Sequence, residues 1–223
     1  NLTDETITSV INNLNFNFVT ENYNKELLPV SEIHKLSVID KIEDELFLTN
    51  SFIDILLDVN FKNHLIDNTN YSILKFERLF GLKKYVGGFV LYNKYSRKDV
   101  FRILNWDKDI SSTVYGYRTQ KKMTPCFVTY KKSADISSGT QYNDHFIDTQ
   151  TFAWESRSNR KLNSSEIQNV INSDLILLFV KKSDGEGTDF YSLGEVSIVE
   201  GSISQAYMPK SNEPVVHFKY KLK

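Results

Sequence analysis

The run LILLFVKK (175–182) is the strongest buried-strand signal in the chain. Its apolar residues follow one another without a polar break, and the run is too short for a buried helix. The turn SDGEG (183–187) comes next, and DFYSLGEVSI (189–198) returns as a strand. Pro214 precedes a last alternating strand, VVHFKYKL. Upstream, Cys126–Tyr130 and the group Val114, Tyr115 and Tyr117 also read as strands. A short helix begins at Asn163, Ser164 and Glu166 and runs to Ile171. Several strands with few helices point to a compact β-barrel or a strongly curved sheet.

Outward from this block the period changes. In 96–105, SRKDVFRILN, Ser96 and Asp99 stand at reciprocal capping distance and Val100, Ile103 and Leu104 face inward. Gly87 and Gly88 break the pattern before it. Residues 1–82 read as helical throughout. Ile7, Val10, Ile11 and Leu14 give a helix over 3–14. Ile33, Leu36, Ile39, Ile42 and Leu46 give one over 31–48. Ser51 caps a third, with Phe52, Ile55, Leu56 and Val59 inward, and a fourth over 69–80 stops at Gly81. The spacing therefore predicts a helical layer over 1–82, as a packing layer or connector, and a strand-rich domain over 83–223.

Charge divides the chain differently. Residues 1–82 hold 6 basic and 13 acidic side chains, net −7. Residues 83–161 hold 15 and 7, net +8, and residues 162–223 are net −2. A basic block inside a chain of net charge −1 suits a polyanionic partner. It equally suits a basic face docked on the acidic helices or on another protein. No apolar run approaches the ~20 residues of a membrane span, and no secretory signal is present. A single cysteine, Cys126, excludes an internal disulfide and a multi-cysteine zinc site, which fits a reducing cytoplasm. The chain opens at Asn1 rather than Met and reads as part of something longer.

Residues 140–161, TQYNDHFIDTQTFAWESRSNRK, mix rings, acids and arginines. Aromatic faces, a hydrogen-bonding carboxylate and flanking cations suit an unstacked nucleobase and its phosphates. Tyr142 and Trp154 are candidate rings, and Asp144 is the candidate acceptor for the exocyclic amine of a cytosine, with Asp148 as its rival. Phe146 and Phe152 offer no polar handle and read as core. The candidate phosphate contacts are Arg97, Lys98, Arg102, Arg118, Lys121, Lys122, Lys131, Lys132, Arg157, Arg160 and Lys161. The competing enzymatic reading takes Asp144 with Glu155-Ser156-Arg157 as a Mg²⁺-dependent nuclease site. There is no GxxxxGK[ST], HExxH, CxxC or GxSxG, so the usual routes to nucleotide, zinc and acyl chemistry are closed.

The segments YSRKDVFRILNW (95–106), VYGYR (114–118), FVTYKKSADIS (127–137), FAWESRSNR (152–160) and LLFVKKSDGEGTDFYSLG (177–194) resemble a domain of unknown function. That domain closes bacterial superfamily II helicases, which often carry a phospholipase-D-type nuclease. The chain is similar to the DNA-recognition end of modification-dependent (type IV) restriction endonucleases. The resemblance implies an α+β, SRA-like curved β-barrel with flanking helices behind an acidic helical segment. It also implies recognition of 5-methylcytosine or 5-hydroxymethylcytosine in duplex DNA by base flipping, without a cofactor. Cleavage and translocation would belong to helicase and nuclease domains outside this sequence. Tyr142-Asn143-Asp144 and Phe152-Ala153-Trp154-Glu155-Ser156-Arg157 match SRA segments. By that match Tyr142 and Trp154 sandwich the base, Asp144 reads its edge and Ser156 completes the pocket. Trp stands where Tyr is usual, and Glu155 where a small hydroxyl residue is usual.

Overall fold

A computed structural model describes residues 3–43, 45–131, 144–209 and 211–223. Two compact units emerge: Asn1–Lys84 with Phe101–Ser112, and Tyr85–Val100 with Thr113–Lys223. The fold class is α+β. No described helix is long and apolar enough to cross a membrane.

In the first unit, α1 (Asp4–Leu14) starts where Thr3 accepts the Thr6 N–H, as the capping signal required. The expected helix over 31–48 does not form. In its place stand α2 (Val30–His34) and a hairpin of β3 (Ile39–Ile42) with β4 (Glu45–Leu48), which follows the hairpin of β1 (Thr20–Tyr23) and β2 (Glu26–Pro29). Lys35 in a left-handed conformation (φ 53°) stops α2 one turn after it starts. The Asn15 side chain then fixes the next segment: its carboxamide oxygen accepts the Val38 and Ile39 N–H groups, and its NH₂ donates to the Ile39 carbonyl. A tertiary polar clamp overrides a helical period here. Thr49 rather than Ser51 caps α3 (Asn50–Ile55). Asp58 caps α4 (Val59–Phe80), which starts nearly three turns before the stripe over 69–80.

The second unit opens with short strands β5 (Tyr85–Val86), β6 (Phe89–Val90) and β7 (Lys94–Tyr95). Helix α5 (Arg97–Ile103) follows, its residues through Val100 counted in this unit and the rest in the first, with Ser96 and Asp99 bonded as its capping pair. Then come β8 (Met123–Lys131), β9 (His145–Phe146), β10 (Thr151–Glu155), α6 (Ser165–Ile171), β11 (Leu175–Ser183), β12 (Phe190–Ile198), β13 (Ser204–Tyr207) and β14 (Pro214–Leu222). The stretch around Val114–Tyr117, expected as a strand, contributes only an isolated bridge from Tyr117 to Cys126.

These strands build one eight-stranded sheet in the order β8-β11-β12-β14-β10-β9, with β7 beside β12 and β13 beside β14. Among the described residues it does not close into a barrel. β11 pairs parallel with β8 and antiparallel with β12, and both its faces are covered. That is why its sequence lacks alternation. One face carries the main core: Cys126, Val128, Ile176, Leu178, Trp154, Phe218 and Tyr220. The opposite face carries an aromatic cluster in which Phe179 meets Phe89 and Phe127, and Phe127 meets Phe190. A bulge at Leu178/Phe179 re-aims the far end of the β11–β12 pair.

Candidate nucleic-acid interface

Strand β10 alternates inward and outward, so Phe152 and Trp154 point to the core while Thr151, Ala153 and Glu155 do not. Trp154 is 3 % exposed. Its ring meets Tyr117 edge-on at 4.8 Å and lies 5.1 Å from Phe218 and 5.3 Å from Tyr220. The expectation that it stacks on a base is thereby corrected: the ring already has core neighbours and shows almost no surface. Ser156 is fully buried, accepting the Val216 N–H and donating to the Arg157 carbonyl, so it clamps β10 to β14 rather than lining a pocket. Phe152 is buried core, as read, and half-buried Phe146 packs against it at 4.9 Å.

The acids near this strand also serve the backbone. Asp144 accepts the Glu155 N–H at 2.9 Å, and Glu155 faces His217 Nε2 at 3.1 Å. Asp148 accepts the Gln150 and Thr151 N–H groups in the turn between β9 and β10. Among the described residues no group of three His, Cys, Asp or Glu side chains could hold a metal ion. Tyr142, Lys132 and the side chain of Lys131 lie outside the described residues.

Two of the expected phosphate contacts are committed elsewhere. Arg157 donates to Glu166 Oε1 through Nη2 at 2.6 Å and Nε at 3.1 Å, and Arg160 Nε donates to Oε2 at 2.8 Å. The Arg157 guanidinium also lies 4.8 Å from the Tyr117 ring centre. Glu166 thus ties the end of β10 to α6. Burial pushes its carboxyl up, but the Tyr117 hydroxyl and the two guanidiniums outweigh that and hold it below its ordinary range. The Tyr117 hydroxyl, buried beside the same carboxylate, is pushed well above the usual phenol value. A polar pocket of about 240 Å³ opens beside this staple, lined by Arg118, Thr119, Ser165, Glu166 and Asn169.

Glu166 stabilises the fold above the unfolded carboxylate value, and that contribution fades as pH falls through its lowered folded value. Glu166→Ala is expected to cost roughly 2–3 kcal/mol at neutral pH, somewhat less than a fully buried pair. Urea unfolding of both proteins as a function of pH checks this. The gap should shrink as the pH falls below the ordinary glutamate range and through the lowered folded value, where the native carboxylate takes up its proton.

The open aromatic surface lies elsewhere. Tyr92, Tyr130, Phe146, Val180, Lys182, Tyr191 and Leu193 line a cleft of about 420 Å³. Tyr92 is 70 % exposed, Tyr130 40 % and Tyr191 36 %, so ring faces remain available. Val180 and Leu193 supply an apolar floor. Lys94 Nζ sits 4.7 Å over the Tyr191 ring and, with Lys182, places positive charge at the rim. Strand pairing assembles the cleft. Val180 registers with Tyr191 across β11 and β12, and Tyr92 N–H and Asn93 C=O bracket Ser192. No residue of the cleft except Phe146 belongs to the segment singled out in the sequence. Tyr130 and Tyr191 sit on separate strands and Tyr92 on the turn between β6 and β7, so only the folded sheet brings the rings together.

The remaining cations differ in availability. Arg118, Lys121, Lys122 and Lys161 are exposed, and the 3.7 Å contact of Lys122 with Asp174 joins two well-solvated groups. Lys98 is partly exposed on α5. Arg97 stacks over Phe190 at 4.9 Å and Phe127 at 5.5 Å, and its buried Nε finds no acceptor among the described residues. Arg102 lies 5.4 Å over Phe18 within the first unit.

Residues 89–223 match the profile of a domain of unknown function, DUF3427. The chain belongs to this family. The DUF3427 region begins at β6 and takes in the open sheet, the Glu166 staple and the aromatic cleft. No curated protein matches the chain.

Proposed function

We propose that this chain is an SRA-like DNA-recognition module of a modification-dependent restriction enzyme. It binds duplex DNA carrying 5-methyl- or 5-hydroxymethylcytosine and holds the modified base out of the stack without chemistry. The observation that carries this reading is the open cleft of three tyrosines and a phenylalanine with lysines at its rim.

The energetics are plausible in size. Extruding a base costs a few kcal/mol. Stacking on an aromatic ring returns roughly 1–3 kcal/mol. Tyr92 is the most exposed ring of the cleft, Tyr191 lies under Lys94 at its rim, and their hydroxyls suit the polar edge of a pyrimidine. A 5-methyl group laid on Val180 and Leu193 would add about 0.8 kcal/mol, close to a fourfold preference. Arg118, Lys121, Lys122 and Lys161 are the exposed cations for phosphates. The sequence resemblance and the basic block of residues 83–161 support the same partner. Cleavage and translocation fall to helicase and nuclease domains of a longer parent chain.

Gel shifts of methylated and unmethylated duplexes at two salt concentrations test the reading. With about four phosphate contacts, affinity should fall roughly a hundredfold between ~50 and ~200 mM salt. The methylated duplex should bind more tightly at both. Equal affinity for the two duplexes would sink the modification reading, and no shift even at low salt would sink DNA binding altogether.

A further inference from the structure

Helix α4 runs 22 residues and buries none of them. A surface helix of this length ordinarily gains its stability by burying an apolar face, because isolated helices are marginal in water. Its apolar residues are ordered. Val59, Ile66, Ile73 and Phe80 recur every seven residues, the spacing of a helix–helix seam. Ile66 is 48 % exposed, Ile73 52 % and the adjacent Phe76 57 %. The polar residues among them are turned back on the helix. Asn68 donates to the His64 carbonyl, Thr69 to Leu65 and Ser72 to Asn68, at 2.7–2.8 Å. Another helix can cover this face without stranding those side chains.

We propose that a second copy of this chain covers it, α4 against α4, antiparallel about a two-fold axis between Thr69 and Asn70. That register sets Ile66 beside Ile73 of the second copy and Val59 beside Phe80. It also sets Lys62 beside Glu77, and the two-fold axis makes each contact twice. Set parallel and in register, Lys62 would meet Lys62 and Glu77 would meet Glu77, so charge selects the antiparallel arrangement. Small Thr69 and Ser72 near the axis let the helices approach closely. A specific interface buries about 1,000 Å² or more in total, and the exposed Ile66, Ile73 and Phe76 side chains would form its apolar centre.

Sedimentation equilibrium of the whole chain tests this. A dimer with a dissociation constant on the order of 10 µM is expected. Ile66→Asp, at an exposed position, should leave the circular dichroism intact and give a monomer. Lys62→Glu should weaken the dimer about tenfold at low salt by creating two like-charge pairs, and Lys62→Glu with Glu77→Lys should restore it. A monomer at about 100 µM, a dimer indifferent to Ile66→Asp, or a double exchange that fails to restore pairing would each overturn the proposal.

Discussion

Trp154→Ala is expected to lower the unfolding free energy by about 4 kcal/mol, the range for deleting a large enclosed ring. Trp154 sits on β10 between β14 and β9, with Tyr117, Phe218 and Tyr220 around its ring. Phe218 and Tyr220 cannot collapse into the void without moving β14, so the cavity term adds to the lost transfer energy. The loss is a large part of what a domain of this size has in total. Trp154→Phe keeps much of the volume and should cost less than half as much. Urea unfolding followed by circular dichroism provides the measurement. A loss below about 1 kcal/mol for the alanine variant would mean the ring is not a core element, and would return it to candidacy as a stacking surface.

The second large effect concerns binding. Tyr191→Ala should weaken binding of methylated duplex about 10- to 100-fold, the loss of one stacking ring. The salt-sensitive background binding to unmethylated duplex should stay close to its original level. Lys182→Ala should act otherwise, weakening both duplexes by a similar factor, because a rim charge meets phosphate whatever the base. The two variants therefore separate base holding from backbone attraction. If Tyr191→Ala and Tyr92→Ala both leave the methylated-to-unmethylated ratio untouched, the cleft does not hold the base, whatever else binds DNA.

How far the fold could be read from the chain depended on where each element draws its stability. The strand LILLFVKK and its return DFYSLGEVSI were legible because both faces of β11 are buried and the turn between them is local. Helix α5 was legible from its own capping pair, Ser96 and Asp99. The helix expected over 31–48 failed because Asn15, far away in sequence, clamps Val38 and Ile39 into a strand. No local period records such a bond.

The site divides along the same line. Phe152 and Trp154 stand at alternate positions of β10, with Ser156 just past its end, and such alternation is the signature of an inward face. An indole also suits stacking on a base, so composition alone left Trp154 open to both roles. Arg157 and Arg160 looked like phosphate ligands because Glu166, nine and six residues on, pairs with them only once α6 has folded back. The cleft could not be read at all, since Tyr130 and Tyr191 come from separate strands and Tyr92 from the turn between β6 and β7, joined only by the folded sheet.

Cys126 gives the molecule a built-in clock. It lies on β8, fully buried, with Sγ 4.0 Å from the Tyr220 hydroxyl. Burial pushes its thiol up to about 12, so at neutral pH almost no thiolate exists in the native state. An alkylating reagent can reach it only when β8 parts from β11. Those two strands are joined in parallel across a long connection, and such contacts are among the last a chain closes. With reagent in excess, the labelling rate becomes the rate at which the sheet opens. Ligands that hold the sheet shut would then be detectable by mass alone, with no reporter group added to the protein.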